Sequence, residues 1–580
     1  MSDTFALAQQ LEGEGRFDEA IREYTRLIDG REGGSVALMR RGLLHNQLGH
    51  FARMTEDLEQ AERVGPDDPY PWMWQGHIAK AMRRPLFAAA CLRSSIEVAP
   101  HVYKIEMRIN LAELLVQAGW LDEAARLARH VPPEVRDWWA GTRRTALERH
   151  RERHGSTLAL LAARRSGGAL RTRRMPPALV RAWRSRPLRG IRALLSGPNG
   201  ERSRLAARLD LVERLWSLGR LRPAAALCSA LMDEQPRDFA AAELMSRIIA
   251  WGQGAEAALA FLRSLGAYQG TSDWTKAVAR LLHDLGRFEE AIALIERFGP
   301  QGHEELLILS GLAHIAIGRA DRLDAFCREW MLSTPESVPA GGFLVSAFYA
   351  ARGEGREVPS VAATARRLRM VHFWNSVDVP SDVRGTIDSW QRHHPQLDAS
   401  LFNTQTAADF INERYGSERG RAFAECRHPA MQADVFRIAF LGEAGGLYAD
   451  ADELCLAPMD AVLAQAANAE IAAIRSGETP NFLHNYFMGS RAGSPTFRRA
   501  LIMATDAIML AAQQQRSIDI WHSTGPGLVT RAAGLTLAER FETMDAAEIA
   551  LVPMQQYRAF TRVHHELAYK QQPSTNWRLS

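Results

Sequence analysis

The sequence predicts a chain of two parts, an all-α solenoid of helical repeats followed by an α/β layer domain with a mostly parallel sheet. Three observations predict it. A helix-turn-helix phrase recurs about every 34 residues through the first 340 residues. Strand-like and helical segments alternate from about residue 368 onward. Within that second part, a helical stretch, a Gly-Gly stop and a short apolar run lead into two aspartates separated by one residue.

The repeats come first. Gly15-Arg16-Phe17-Asp18-Glu19-Ala20 is echoed by Gly49-His50-Phe51 (49 − 15 = 34) and, after a degenerate unit around Arg83, by Gly119-Trp120-Leu121-Asp122-Glu123-Ala124. A second series runs Gly219, Gly252, Gly286 and Gly318, at spacings of 33, 34 and 32 residues. Glycine at the end of a first helix lets the chain turn through positive φ; the aromatic or leucine and the alanine that follow then pack a second helix on its neighbour. One such unit cannot bury its own apolar face, whereas a stack makes a continuous core with a concave groove. The phrase resembles tetratricopeptide (TPR) repeats, whose period is 34 residues, and about eight units in two blocks are expected, at 1–150 and 206–340. Between them, Gly167-Gly168, Pro176-Pro177 and Pro198 interrupt the register, so 151–205 is an irregular joint.

That joint is rich in arginine: Arg164-Arg165, Arg171, Arg173-Arg174 and the run from Arg181 to Arg189. Such a stretch suits an acidic partner, a phosphate-bearing acceptor or an anionic surface, but equally the solvated face of a connector. No nucleic-acid module accompanies it, so no nucleic-acid partner is expected. The formal net charge is only +4 over 580 residues, with 46% apolar and 24% charged residues. No run of about eighteen uncharged apolar residues is present to span a bilayer. The amino terminus lacks the basic and then apolar pattern of a secretory signal. Five scattered cysteines have no CxxC spacing, which supports neither a disulfide framework nor a zinc site. Together these features place the chain in a reducing cytoplasm, with the inner face of the membrane as an alternative. The Ala- and Arg-rich composition suggests a bacterial gene of high GC content.

After Pro335 the helical period stops, and Gly353-Glu354-Gly355 with Pro359 marks a boundary, giving a second domain at 360–580. Met370-Val371-His372-Phe373-Trp374 reads as its buried first strand. The most informative stretch runs from Ala433 to Asp452. Met431, Val435 and Ile438 share one helical face, while Asp434 and Arg437, three apart, share an adjoining one. Gly445-Gly446 stops the helix, and Leu447-Tyr448-Ala449 makes a brief strand that delivers Asp450 and Asp452 at its end.

These groups suit a sugar nucleotide. A divalent ion on oxygen ligands can bridge both phosphates and keep coordination sites for them. One aspartate can bind the ion directly and the other can hold a metal water or the ribose. Arg437 offers planar donors to phosphate or sugar, and Asp434 can accept from hydroxyl groups. An isolated Asp-x-Asp arises about once by chance in a chain of this length. The phrase as a whole is more specific. It resembles the sugar-binding region of DXD-containing glycosyltransferases, a group that includes yeast initiating mannosyltransferases, lactosylceramide galactosyltransferases and glucosylating clostridial toxins, and it is similar to glycosyltransferase family 32.

The resemblance implies a GT-A (Rossmann-like) α/β fold over roughly 368–580. It implies a donor site near His372 and Trp374, whose strand lies by the nucleotide base in relatives. Val379-Pro380, Ser389-Trp390 and Pro395 match the stretch that follows, Asn485 a later donor-binding phrase and Thr524-Gly525-Pro526 a loop. His564 resembles a late histidine that completes the metal shell beside Asp450 and Asp452, although His565 is adjacent, and Asn576-Trp577 resembles a closing phrase. The implied activity is metal-dependent (Mn2+ or Mg2+) transfer of a hexose from a nucleoside-diphosphate sugar, with retention, to a glycan, lipid or protein acceptor. Asp450, Asp452 and Arg437 would be catalytic, and Asp434 and Asn485 would help hold the donor. The repeats would recruit the acceptor or a protein partner, and a cell-envelope polysaccharide role is the natural setting. The alternatives are a TPR scaffold with a degenerate transferase domain and a sugar-nucleotide hydrolase.

Overall fold

The structure is a computed structural model; it describes residues 3–13, 16–31, 33–48, 50–99, 104–117, 123–124, 127, 201–217, 220–299, 302–352, 368–476, 480–545, 548–564 and 567–571. Residues 151–200 of the arginine-rich joint, Gly119-Trp120-Leu121-Asp122, Gly15, Gly49, Gly219, Gly353-Glu354-Gly355, His565 and Asn576-Trp577 lie outside the described residues. The chain divides into two compact units, residues 61–309 and residues 1–60 with 310–580. Among the described residues, no helix is long and apolar enough to cross a membrane.

The predicted repeat appears as successive helix pairs. Phe17–Asp29, Pro85–Val98, Leu221–Glu234, Ala255–Ser264 and Phe288–Phe298 are second helices of such pairs. Each carries a fully buried alanine three residues in: Ala20, Ala88, Ala224, Ala258 and Ala291. Only a methyl group fits there, because the neighbouring helix passes directly over it. Gly286 (φ 76°) and Gly318 (φ 68°) make the expected left-handed turns. Gly252 does not; it sits inside helix Ala240–Gln253, and Gly254 at φ 100° makes the turn two residues later. At the degenerate unit, Arg83 itself adopts φ 56° where other units use glycine.

Within residues 61–309 the turn at Arg83 is clamped to helix Ser272–Asp284. Asp284 Oδ1 accepts from the Leu86 and Phe87 backbone N–H groups at the start of helix Pro85–Val98. Arg84 donates to the Asp284 carbonyl at 3.1 Å and lies over the Phe87 ring at 4.2 Å. The buried His283 ring reaches the Met82 carbonyl at 2.8 Å.

The helical part continues beyond Pro335, where the sequence suggested that it stops. Pro339 lies in the first turn of helix Val338–Arg352, a place where its missing N–H and fixed φ cost nothing. Helices Ala320–Ser333 and Val338–Arg352 pack against helix Pro526–Arg540 of the α/β layer. A Cβ on Gly341 would sit 2.6 Å from the Thr530 carbonyl oxygen, Phe348 meets Phe541 edge-on at 5.4 Å, and Asn481 donates to Ser346 at 2.8 Å.

The carboxy-terminal layer holds a six-stranded sheet in the order β2-β1-β3-β6-β5-β7. Its strands are β1 (Arg369–Phe373), β2 (Asp398–Phe402), β3 (Gly446–Ala449), β5 (Ile471–Arg475), β6 (Leu483–Ser490) and β7 (Ile549–Pro553). All pairings are parallel except those of β6, which runs against β3 and β5. This is the mostly parallel sheet that the sequence predicted. A separate antiparallel ribbon joins β4 (Glu453–Cys455) to β8 (Thr561–Val563). Helices Ser381–His393 and Asp460–Asn468 contribute Trp390, Val462 and Leu463 to one core with Met370, Leu447, Ala449, Ile474 and Phe487.

Candidate active site

The site is built where β3 ends between β1 and β6. Helix Pro429–Glu443 must reverse into β3 within two residues, and Gly445 (φ 64°) and Gly446 (φ 106°) do it. Neither position has room for a side chain: a Cβ would lie 2.3 Å from the Ala492 nitrogen at the first and 2.6 Å from the Arg369 oxygen at the second. The strand that follows delivers Asp450 and Asp452 to a cavity of 840 Å³. Ser389 and Trp390 fix the chain just beyond, since Ser389 accepts from the Cys455 N–H and the indole of Trp390 donates to the Glu453 carbonyl.

Arg437 is the hub, with only 4% of its side chain exposed. Its Nη2 lies 2.9 Å from Asp450 and 3.3 Å from Asp434; its Nε donates to the Ala433 carbonyl, its Nη1 to the Asn485 carbonyl, and the guanidinium stacks 4.4 Å over Tyr448. Burial works against its charge, but Asp450, Tyr448 and Asp434 outweigh it and hold Arg437 above its ordinary range. Asp434 accepts from Asn485 at 2.8 Å and from Thr524 at 3.0 Å; burial raises it, and Arg437 opposes the rise. The helix, β6 and the Thr524-Gly525-Pro526 loop are therefore tied together through one carboxylate.

Asp450 accepts from the Tyr448 hydroxyl at 2.8 Å and keeps 29% of its side chain open. The surrounding protein still strips away enough water that burial raises its pKa to about 7, with Asp452 adding to the rise and Arg437 opposing it. Asp452 pairs with Lys570 Nζ at 2.6 Å and lies 3.4 Å from the Tyr569 hydroxyl.

The structure thus gathers Asp434, Arg437, Asp450, Asp452, Asn485 and Trp374 around one cavity. It does not bring His372 or the ring of His564 into that lining. His372 is buried, binds the Ala449 carbonyl at 2.9 Å and is lowered to about 4 by burial, so it braces the end of β3 from beneath. The His564 ring faces Thr386 at 3.1 Å, while its backbone N–H donates to the Asp452 carbonyl. Among the described residues, no three His, Cys, Asp or Glu side chains group into a ready cation cage.

Sequence reasoning missed Tyr569 and Lys570, since no motif marks them. It also missed an aromatic wall of Phe482, His484, Tyr486 and Trp521 lining the cavity. Phe482, His484 and Tyr486 stand close together on or beside β6, but Trp521 joins them only through the fold. The His484 ring, lowered to about 4 by burial and Arg558, is neutral at ordinary pH, and its buried Nε2 has no hydrogen-bond partner among the described residues.

With this geometry in view, the comparisons with known proteins are direct. Residues 380–469 match the family model described as a glycosyltransferase sugar-binding region containing a DXD motif. That span includes Asp434, Arg437 and the Asp450/Asp452 pair, so residues 380–469 are similar to the sugar-binding region of glycosyltransferases. No curated protein matches the chain. Solved structures with some likeness include the PaToxG glycosyltransferase, at 12% identity, TM-score 0.22 and coverage of 40% of this chain and 92% of that one. They also include the P58(IPK) TPR domain (13%, TM-score 0.19, 61% and 92%) and Naa15/Naa10 bound to HypK-THB (14%, TM-score 0.23, 76% and 67%).

Proposed function

We propose that this chain is a retaining hexosyltransferase that takes its donor as a nucleoside-diphosphate sugar, with Mn2+ or Mg2+ as cofactor. The observation that carries the reading is the pair Asp450 and Asp452, presented at the end of β3 on an 840 Å³ cavity that Trp374 and an aromatic wall also line. Ligands bind at strand ends of such sheets, where the backbone leaves a crevice.

The donor set suits a hard divalent ion. Both carboxylates offer oxygen, and the absence of a closed cage among the described residues leaves coordination positions for diphosphate and water. Asp452, already holding a cation in Lys570, is the better direct ligand. When bound, the ion would stabilise the charge that develops on the departing nucleoside diphosphate.

The chain's own residues orient and exclude. Arg437 holds Asp450 and Asp434 in fixed positions, so it is a positioning residue as much as a phosphate ligand. His372 does the same for the strand end. Trp374 presents a face to the base, and Asn485 and Asp434 present one polar edge to the sugar. The aromatic wall offers flat apolar faces to the cavity. Such a surface suits the C–H face of a sugar ring, which favours a glycan acceptor over the lipid and protein alternatives. The helical repeats would recruit that acceptor or a partner protein.

The test incubates the purified full chain with manganese and a panel of sugar nucleotides and measures released nucleotide, with and without a simple glycoside acceptor. Turnover that chelator abolishes and manganese restores is expected. Full activity in excess chelator would overturn the metal assignment. Donor cleavage that no acceptor accelerates would identify a hydrolase, and no turnover of any donor would leave the scaffold reading.

A further inference from the structure

No sequence motif marks Lys570, yet it makes a short ion pair in the site. Its Nζ is 2.6 Å from Asp452 Oδ2, and both side chains are mostly buried, at 16% and 21% exposure. The turn that carries it, Ala568–Gln571, is held at several points. Leu567 is fully buried with Val383, Ile387 and Ala451; the Ala568 N–H donates to Asp382 at 3.1 Å; and the Lys570 N–H closes on the Leu567 carbonyl. Tyr569 meets Trp374 edge-on at 5.1 Å and reaches toward Asp452. One short turn therefore touches both the carboxylate expected to bind the ion and the ring expected to face the base.

Charge makes the contact consequential. Arg437 is shared between Asp450 and Asp434, and Asp452 is met by Lys570, so each aspartate at the strand end already has a cationic partner without an ion. A divalent cation and an ammonium group cannot both sit on the exposed edge of Asp452, because two positive charges a few ångströms apart repel strongly in a partly buried site.

We propose that Lys570 is a built-in counter-cation that competes with the divalent ion for Asp452. Resting on the metal-dependent reading above, it makes ion and donor binding cooperative. In the absence of donor, Lys570 keeps the ion weakly bound. A diphosphate brings negative charge for both cations, so the displaced ammonium gains a new anionic partner and the ion keeps Asp452.

The test measures Mn2+ binding to the full chain by electron paramagnetic resonance, with no nucleotide and then with uridine or guanosine diphosphate. It compares wild type, Lys570→Met and Lys570→Arg, with thermal unfolding as the check on folding. Lys570→Met is expected to bind Mn2+ alone at least tenfold more tightly than wild type and to lose most of the enhancement that diphosphate gives; Lys570→Arg keeps the wild-type pattern. Should Lys570→Met cause misfolding, Lys570→Gln takes its place. Equal, measurable Mn2+ affinity in wild type and Lys570→Met overturns the competition while leaving the metal reading intact. Failure of every variant to bind Mn2+ even with either diphosphate overturns both.

Discussion

At the scale of single residues, the site separates groups that touch ligands from groups that hold others in place. Asp452 belongs to the first kind, and replacing it by Asn keeps its size while removing the charge for a cation. Sugar transfer by Asp452→Asn should fall by orders of magnitude, since the metal's stabilisation of the leaving group is worth several kcal/mol. Its thermal midpoint should fall only modestly, because the amide oxygen still accepts from Lys570 although the ion pair's charge is lost. A variant with wild-type transfer would end the metal-dependent assignment. Arg437 belongs to the second kind. Its four protein acceptors and its stacking on Tyr448 predict that Arg437→Lys loses stability as well as activity, by roughly 1–3 kcal/mol, because a lysine keeps the charge but not the fork. Calorimetry alongside a donor-binding titration checks this: loss of donor binding with an unchanged midpoint would make Arg437 a phosphate ligand instead.

At the scale of elements, the degenerate repeat around Arg83 offers two sharper tests. An exposed arginine at φ 56° is strained where glycine is not, so Arg83→Gly should stabilise the chain by up to about 1 kcal/mol in denaturant unfolding. The neighbouring Asp284 is buried, which raises it to about 6 from an ordinary 3.8 despite its two backbone donors and Arg84. The folded state therefore binds this proton more tightly than the unfolded chain. Stability from this group is present below about pH 4 and is lost as pH rises toward 6 and above. Asp284→Asn keeps an oxygen for the Leu86 and Phe87 N–H groups and never ionises. Its stability relative to wild type should grow through pH 4–6 and level off near 2–3 kcal/mol in its favour, on the order of two pKa units. The buried His283 titrates in both proteins and drops out of the difference. A flat difference across that range would mean that Asp284 is ionised at no cost.

At the scale of the whole molecule, the packing of helices Ala320–Ser333 and Val338–Arg352 on helix Pro526–Arg540 bears on where the transferase can be cut. Residues 360–580 alone would expose the faces that Phe343, Phe348 and Gly341 cover. Deleting such a layer removes buried apolar area at roughly 25 cal/mol per Å². A fragment starting at residue 302 should express as a folded, donor-binding protein, whereas one starting at 360 should aggregate or unfold at lower temperature. Equal midpoints for the two fragments would show that the helices merely lean on the transferase layer.

Periodicity and spacing made much of this legible in the sequence. The 34-residue repeat, the buried strand at Met370–Phe373 and the helix, Gly-Gly, strand and Asp-x-Asp phrase are all local patterns, set by the helical and strand repeats of the backbone and by the few residues that can turn it. What tertiary structure alone decided was the company those residues keep. Arg437 could be read as a donor aimed at phosphate, but the antiparallel approach of β6 puts the Asn485 carbonyl within its reach. His564 could be read as a metal ligand, and the β4–β8 ribbon gives its backbone N–H to Asp452 and its ring Nδ1 to Thr386. Trp521 and Lys570 lie 69 and 118 residues beyond Asp452 and join it only when the sheet closes. Sequence by itself determined the kind of fold and the chemical character of the central phrase, because both rest on short-range regularity. The partners of each charge were settled by the fold, since long-range pairing depends on which surfaces meet and no local pattern encodes that.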